Sequence, residues 1–246
     1  MVDRLLEVCV DSASGLHAAV DGGADRIELC SALAVGGLTP SAGLMAEAAT
    51  VDIPVYAMIR PRSGDFVFND ADCAVMIADI QEARSAGLAG VVLGASLADG
   101  RLNGDMLRVL IKAAAGVGCS LHRAFDLVPD VSEAVELAIE LGFERILTSG
   151  RAPTVSAGLN DLRRVHDVAA GRISIMPGAG VTIETLPNIL ARVPVKEVHA
   201  SCGVAASHQP GILRMGFALQ SDRITDGERV RNLKAALNRN AEYQLP

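Results

Sequence analysis

Eight short apolar runs recur along this chain, each followed by a stretch with helical spacing, and that alternation limits the fold more than any other feature. The runs cover residues 5–10, 26–30, 54–60, 90–94, 120–123, 145–148, 172–176 and 195–200. Strands that alternate with helices call for a parallel sheet with the helices packed outside it. Eight such units close into a TIM (β/α)8 barrel. The helix starts are marked by Ser12, Asn103, Asp130 with Glu133, Thr182, Thr225 with Glu228, and Thr39 with Pro40 at the first helical position. The 246 residues contain no linker-like break, so one domain over 1–246 is expected. Half of them are apolar and only 3% aromatic, which leaves Ala, Val, Leu and Ile to build the core, as buried parallel strands require. The stretch from Gly203 to Asp222 is irregular and is expected to loop over the barrel mouth.

A net charge of −7 argues against nucleic acid and anionic membrane as partners. No apolar stretch is long enough to span a bilayer, and the N-terminus enters a strand without a leader-like apolar segment, so a cytoplasmic protein is expected. Five widely spaced cysteines with no CxxC pair encode neither a disulfide framework nor a zinc knuckle and read as reduced thiols.

In such a barrel ligands bind at the C-terminal ends of the strands. Glu7 and Cys9 share one face of the first strand, and Glu28 and Cys30 share one face of the second. Burying bare carboxylates under helices is costly, so these faces should line a site. Arg60 and Arg62 follow the third strand, His122, Arg123 and Asp126 the fifth, Thr148 and Ser149 the sixth, and His199, Ser201 and Cys202 the eighth. A histidine at a strand end can act as acid, base or metal ligand near neutral pH, so His122 and His199, with Glu7, Glu28 and Asp126, are candidate catalytic groups. Gly178 and Gly180 after the seventh strand let backbone amides approach an anion that Arg60, Arg62 and Arg123 would pair with. Two bland readings stand beside these: cysteines that simply fill core, and an ion-pair lattice inside the barrel built from Glu7, Glu28, Arg60 and Arg123.

The ordered series Glu7-Val8-Cys9, Gly22-Gly23-Ala24-Asp25-Arg26-Ile27-Glu28-Leu29-Cys30, Gly36-Gly37-Leu38-Thr39-Pro40-Ser41, Met58-Ile59-Arg60-Pro61-Arg62, His122-Arg123-Ala124-Phe125-Asp126 and Arg145-Ile146-Leu147-Thr148-Ser149-Gly150 spans nearly the whole chain. In these motifs the sequence resembles the CutC family, the proteins named for copper homeostasis. It departs from the common pattern at Pro177, Ala179 and Ser63. The resemblance implies a cytoplasmic, self-associating TIM barrel, a homodimer or higher homo-oligomer, in which Cys9 and Cys30 match two cysteines proposed as Cu(I) ligands. Soft thiolates suit Cu(I). Cys202 is placed to add a third sulfur, and Cys73 and Cys119 are not. Two functions stay open: a copper-binding protein without catalysis, and an enzyme acting on a small anionic or phosphorylated metabolite.

Overall fold

The computed structural model describes residues 4–239. Eight parallel strands form one sheet: β1 Leu5–Val10, β2 Arg26–Leu29, β3 Val55–Met58, β4 Gly90–Leu93, β5 Gly118–Leu121, β6 Arg145–Thr148, β7 Ser174–Pro177 and β8 Glu197–Ala200. Between them run α1 Ala13–Asp21, α2 Ala42–Ala48, α3 Asp70–Ser85, α4 Gly104–Ala113, α5 Val131–Glu140, α6 Leu159–Ala169 and α7 Leu186–Arg192. The ladder order is β7-β6-β5-β4-β3-β2-β1-β8, so the first and last strands are hydrogen-bonded partners. This is the expected TIM barrel. Among the described residues the ladder pairs every neighbour except β7 with β8, which lie side by side.

Strand alternation divides the chain cleanly between two environments. Leu6, Val8 and Val10 join the apolar layer beneath the helices, whereas Glu7 and Cys9 point into the barrel. Several helices begin where short polar side chains can accept the first free amides: Ser12 caps α1, Asn69 caps α3, Asn103 caps α4 and Asp130 caps α5. Three starts differ from expectation: α7 follows Thr185, with Thr182 in the turn before it accepting the Thr185 amide. Ser41, not Thr39, caps α2, because Thr39 exchanges hydrogen bonds with the Arg60 backbone across the barrel rim. The last helix, α9 Gly227–Arg239, is capped by Asp226 and not Thr225, since Thr225 is committed to a strand.

The stretch after β8 has more structure than its sequence suggests. It forms a hairpin of β9 Gly203–Ala205 with β10 Arg223–Thr225, bridged by the short α8 Pro210–Arg214. Val204 and Ile224 sit opposite each other in that ladder, and the arm stands over the mouth. Its tip exposes Met215, Phe217 and Leu219, with 76% of Phe217 open to solvent.

Candidate functional site in the barrel mouth

The barrel interior is layered, and its lower layer is an ion-pair network. Arg26 donates to Glu7 and Glu197 and touches the Met176 sulfur. Arg145 reaches Glu197 at 3.3 Å, Glu144 at 3.0 Å and the Ser120 hydroxyl at 2.6 Å. Both guanidinium groups stack over the Tyr56 ring, at 5.5 and 4.9 Å from its centre. A lattice inside the barrel was one reading of the sequence. It exists, but of the four residues assigned to it only Glu7 takes part; Arg26, Arg145, Glu144 and Glu197 supply the rest. The signal was available in the period of two, which puts Arg26 on the face of Glu28 and Glu197 on the face of His199.

One layer higher, Glu7 accepts a hydrogen bond from His199 Nδ1 at 2.8 Å. The pairing register fixes this contact, because Glu7 lies opposite Arg26 on one side and His199 on the other. Fixing the Nδ1 proton leaves Nε2 as the working nitrogen of the ring. Nε2 faces Glu28 Oε2 at 3.8 Å, and one ligand atom each from Cys9, Glu28 and His199 lie within 4.8 Å of one another. All three residues are buried and line a cavity of about 1040 Å³ that opens at the mouth.

Electrostatics separates the two carboxylates. Burial works against ionisation of Glu7, but His199 and Arg26 outweigh it and bring its pKa down to about 2. Glu28 moves upward, chiefly from burial, with the His199 charge opposing and Glu7 adding to the rise. Burial also opposes the imidazolium of His199, yet its neighbours Cys9, Glu28 and Glu7 hold its pKa well above the ordinary value. A proton is therefore kept at Nε2, where a metal ion would replace it.

The other expected residues fall into three groups. Arg60, His122, Arg123, Gly180 and Ser201 line the same cavity. Cys30 is fully buried behind it, donating to Glu28 Oε2 at 3.5 Å, with burial and Glu28 pushing its thiol pKa well up. Cys9 and Cys30, 21 residues apart, do not sit at the same height: Cys9 pairs with Glu28, so Cys30 lies two residues beyond it. Barrel closure requires such a stagger between neighbouring strands. A 21-residue spacing therefore does not set the two thiols level, and Glu28 with His199 takes the place beside Cys9.

The third group does structural work. Asp126 accepts from Thr148 Oγ1 at 2.5 Å, Arg123 Nε at 2.7 Å, Arg151 N at 3.1 Å and Ser149 N at 3.2 Å. A carboxylate so fully engaged fastens the β5 and β6 ends together, and Asp126, Thr148 and Ser149 engage these groups with one another, outside the cavity lining. Arg62 is held by Asp65 at 3.1 Å, Asp72 at 3.3 Å and the Val67 carbonyl at 2.7 Å, outside the cavity. Gly178 is packed so that a Cβ would lie 2.6 Å from Leu147, and its amide donates to Thr148 O at 3.0 Å. It serves close packing and not an anion loop.

The CutC family model matches residues 4–204. The chain belongs to the CutC family. A CutC family protein of Rhizobium meliloti is 58% identical over 95% of this chain and 96% of its own length. One from Agrobacterium fabrum is 51% identical over 96% and 95%. Among solved structures, the copper homeostasis protein named CutC from Streptococcus agalactiae superposes with a TM-score of 0.77 at 33% identity, covering 80% of this chain and 98% of its own. The CutC match takes in Glu7, Cys9, Glu28 and His199 but stops before most of the arm that overhangs them.

Proposed function

We propose that this CutC family chain binds a single transition-metal ion at the mouth of its barrel, with copper as the ion that the family's name and the thiol favour. One observation carries the reading: Cys9, Glu28 and His199 converge within 4.8 Å, with Glu7 bonded to the far side of the imidazole. A carboxylate behind a ligating histidine fixes its tautomer and raises its basicity, an arrangement typical of metal sites. Thiolate and imidazole are both copper donors. Glu28 Oε1 is buried without a hydrogen-bond partner, which leaves it free to coordinate. A cytoplasmic location is part of the proposal, since all five cysteines are free thiols and a reducing compartment keeps them so. No helix among the described residues is long and apolar enough to cross a membrane.

The test is a Cu(I) competition titration under reducing conditions. Cys9→Ser and His199→Gln are expected to weaken binding by about tenfold or more, and Cys30→Ala far less, because Cys30 stands behind Glu28. Equal loss for Cys9→Ser and Cys30→Ala would restore the two-thiol site in place of this one, and undiminished binding in all three would remove the metal reading.

A second reading is favoured by size. About 1040 Å³ is far more than one ion needs and is of the order of a small-molecule pocket. An organic metabolite in this space, acted on by His199 and Glu28, is the enzymatic alternative. Self-association is proposed as well, through the apolar arm tip at Met215, Phe217 and Leu219. Light scattering is expected to return a species heavier than the 25.5 kDa chain, and Phe217→Glu to lower that mass.

A further inference from the structure

The wall of the cavity that includes Arg60 and His122 carries a feature the metal reading does not use. Arg60 is only 5% exposed, yet its hydrogen bonds go to uncharged carbonyls: Nη1 to Val35 and Gly37, Nη2 to Gly64. Among the described residues no carboxylate pairs with it, and its Nε is buried without a partner. Its pKa is lowered by burial and by neighbouring Arg62, with no acid acting the other way. A buried cation that lacks a counter-charge is costly and needs an anion.

Beside it, His122 is 2% exposed and also incompletely bonded. Nδ1 accepts from the Ala124 amide at 3.2 Å, which assigns the ring proton to Nε2. That Nε2–H has no acceptor. Burial, reinforced by the Arg60 charge, holds the His122 pKa down to about 3, so the ring stays a neutral donor at any physiological pH. Gly94 leaves no slack behind the imidazole, since a Cβ there would lie 2.5 Å from it. Phe66 joins the two residues: its ring centre is 4.9 Å from the Arg60 guanidinium carbon and 4.8 Å from the His122 ring centre.

We propose that Arg60 Nε–H and His122 Nε2–H form the recognition site for the carboxylate of a small organic acid whose remainder extends into the cavity toward Cys9, Glu28 and His199. Two single N–H donors match the two oxygens of a carboxylate, one of them charge-assisted. A phosphate would bring more anionic oxygens and charge than these two donors can match. Both nitrogens are covered in this structure, and the half-buried Phe66 ring, which touches both side chains, is the group whose movement would admit the acid. Binding here requires no metal ion, and so stands or falls separately from the copper site.

Chelator-treated wild-type protein is titrated calorimetrically with lactate, glycerate, malate, succinate and inorganic phosphate at pH 7, while 15N NMR follows the His122 imidazole. At least one carboxylate is expected to bind and to shift the Nε2 resonance. Arg60→Lys and His122→Gln are expected to weaken that acid by about tenfold or more, and His17→Gln, exposed on α1 and outside the cavity, to leave it within about twofold. The NMR readout in wild type does not depend on either variant folding. Failure of every carboxylate to bind, binding that leaves the His122 resonance unmoved, or phosphate binding as tightly as the best acid would each overturn the assignment.

Discussion

Replacing Arg26 with methionine is expected to cost about 3–5 kcal/mol of unfolding free energy, read by chemical denaturation at pH 7. Arg26 is 3% exposed and, among the described residues, is the one cation that bonds both Glu7 and Glu197. Its removal leaves Glu7 with His199 and Glu197 with Arg145 as their remaining cationic partners, so each buried carboxylate loses a charge-assisted bond. Methionine keeps much of the volume, so the loss reads charge and not a cavity. Acid should narrow the gap between the two proteins. The folded-state pKa of Glu7 is depressed from 4.5 to about 2, so the stability it contributes is complete above 4.5 and is lost as pH falls toward 2. A variant whose denaturation midpoint stays at the wild-type value at pH 7 would mean the network contributes nothing net.

The second large effect is expected at Asp126. Asp126→Ala strands the Ser149 and Arg151 amides, the Thr148 hydroxyl and the Arg123 Nε that it now satisfies. Each unpaired donor costs about 1–3 kcal/mol when it is buried, and those near the rim can turn to water. A net loss of about 2–4 kcal/mol follows. Asp126→Asn keeps one acceptor oxygen and should lose roughly half as much. Metal affinity should survive in the folded fraction of both variants, because Asp126 touches none of Cys9, Glu28 or His199. If metal binding vanishes while stability is unchanged, Asp126 belongs to the site after all.

Much of this was legible in the residues. The strands could be read because parallel strands buried on both sides are short apolar runs, and the glycines and short polar caps that punctuate them have local causes. Strand ends were less legible: His122 and Arg123 lie past the end of β5, in a tight turn. Glu7, Cys9, Glu28 and His199 were found because carboxylate, thiol and imidazole are conspicuous in apolar runs. Their grouping was not, since spacing along the chain says nothing about stagger between strands. The register offset of β1 to β2 is 26 − 7 = 19 residues, not 21, and that difference exchanges Cys30 for Glu28 as the neighbour of Cys9. Asp126 was misread because a strand-end carboxylate looks the same in sequence whether it clasps two loops or serves a ligand. Arg60 and His122 were singled out, but that Arg60 Nε and His122 Nε2 are left without acceptors is a property of the packed wall alone.

The bond between Glu7 and His199 joins residues 192 positions apart, through the pairing of the first strand with the last. Contacts so distant in sequence form late, after the entropy of closing the intervening chain has been met. A chain still on the ribosome presents Cys9 and Glu28 long before His199 is synthesised, and during that interval it holds a thiol and a carboxylate with no imidazole to complete the trio. If the proposed metal site operates, it is completed only when the barrel closes, which would couple loading to completion of folding and deny the ion a native-like trap on partly made chains.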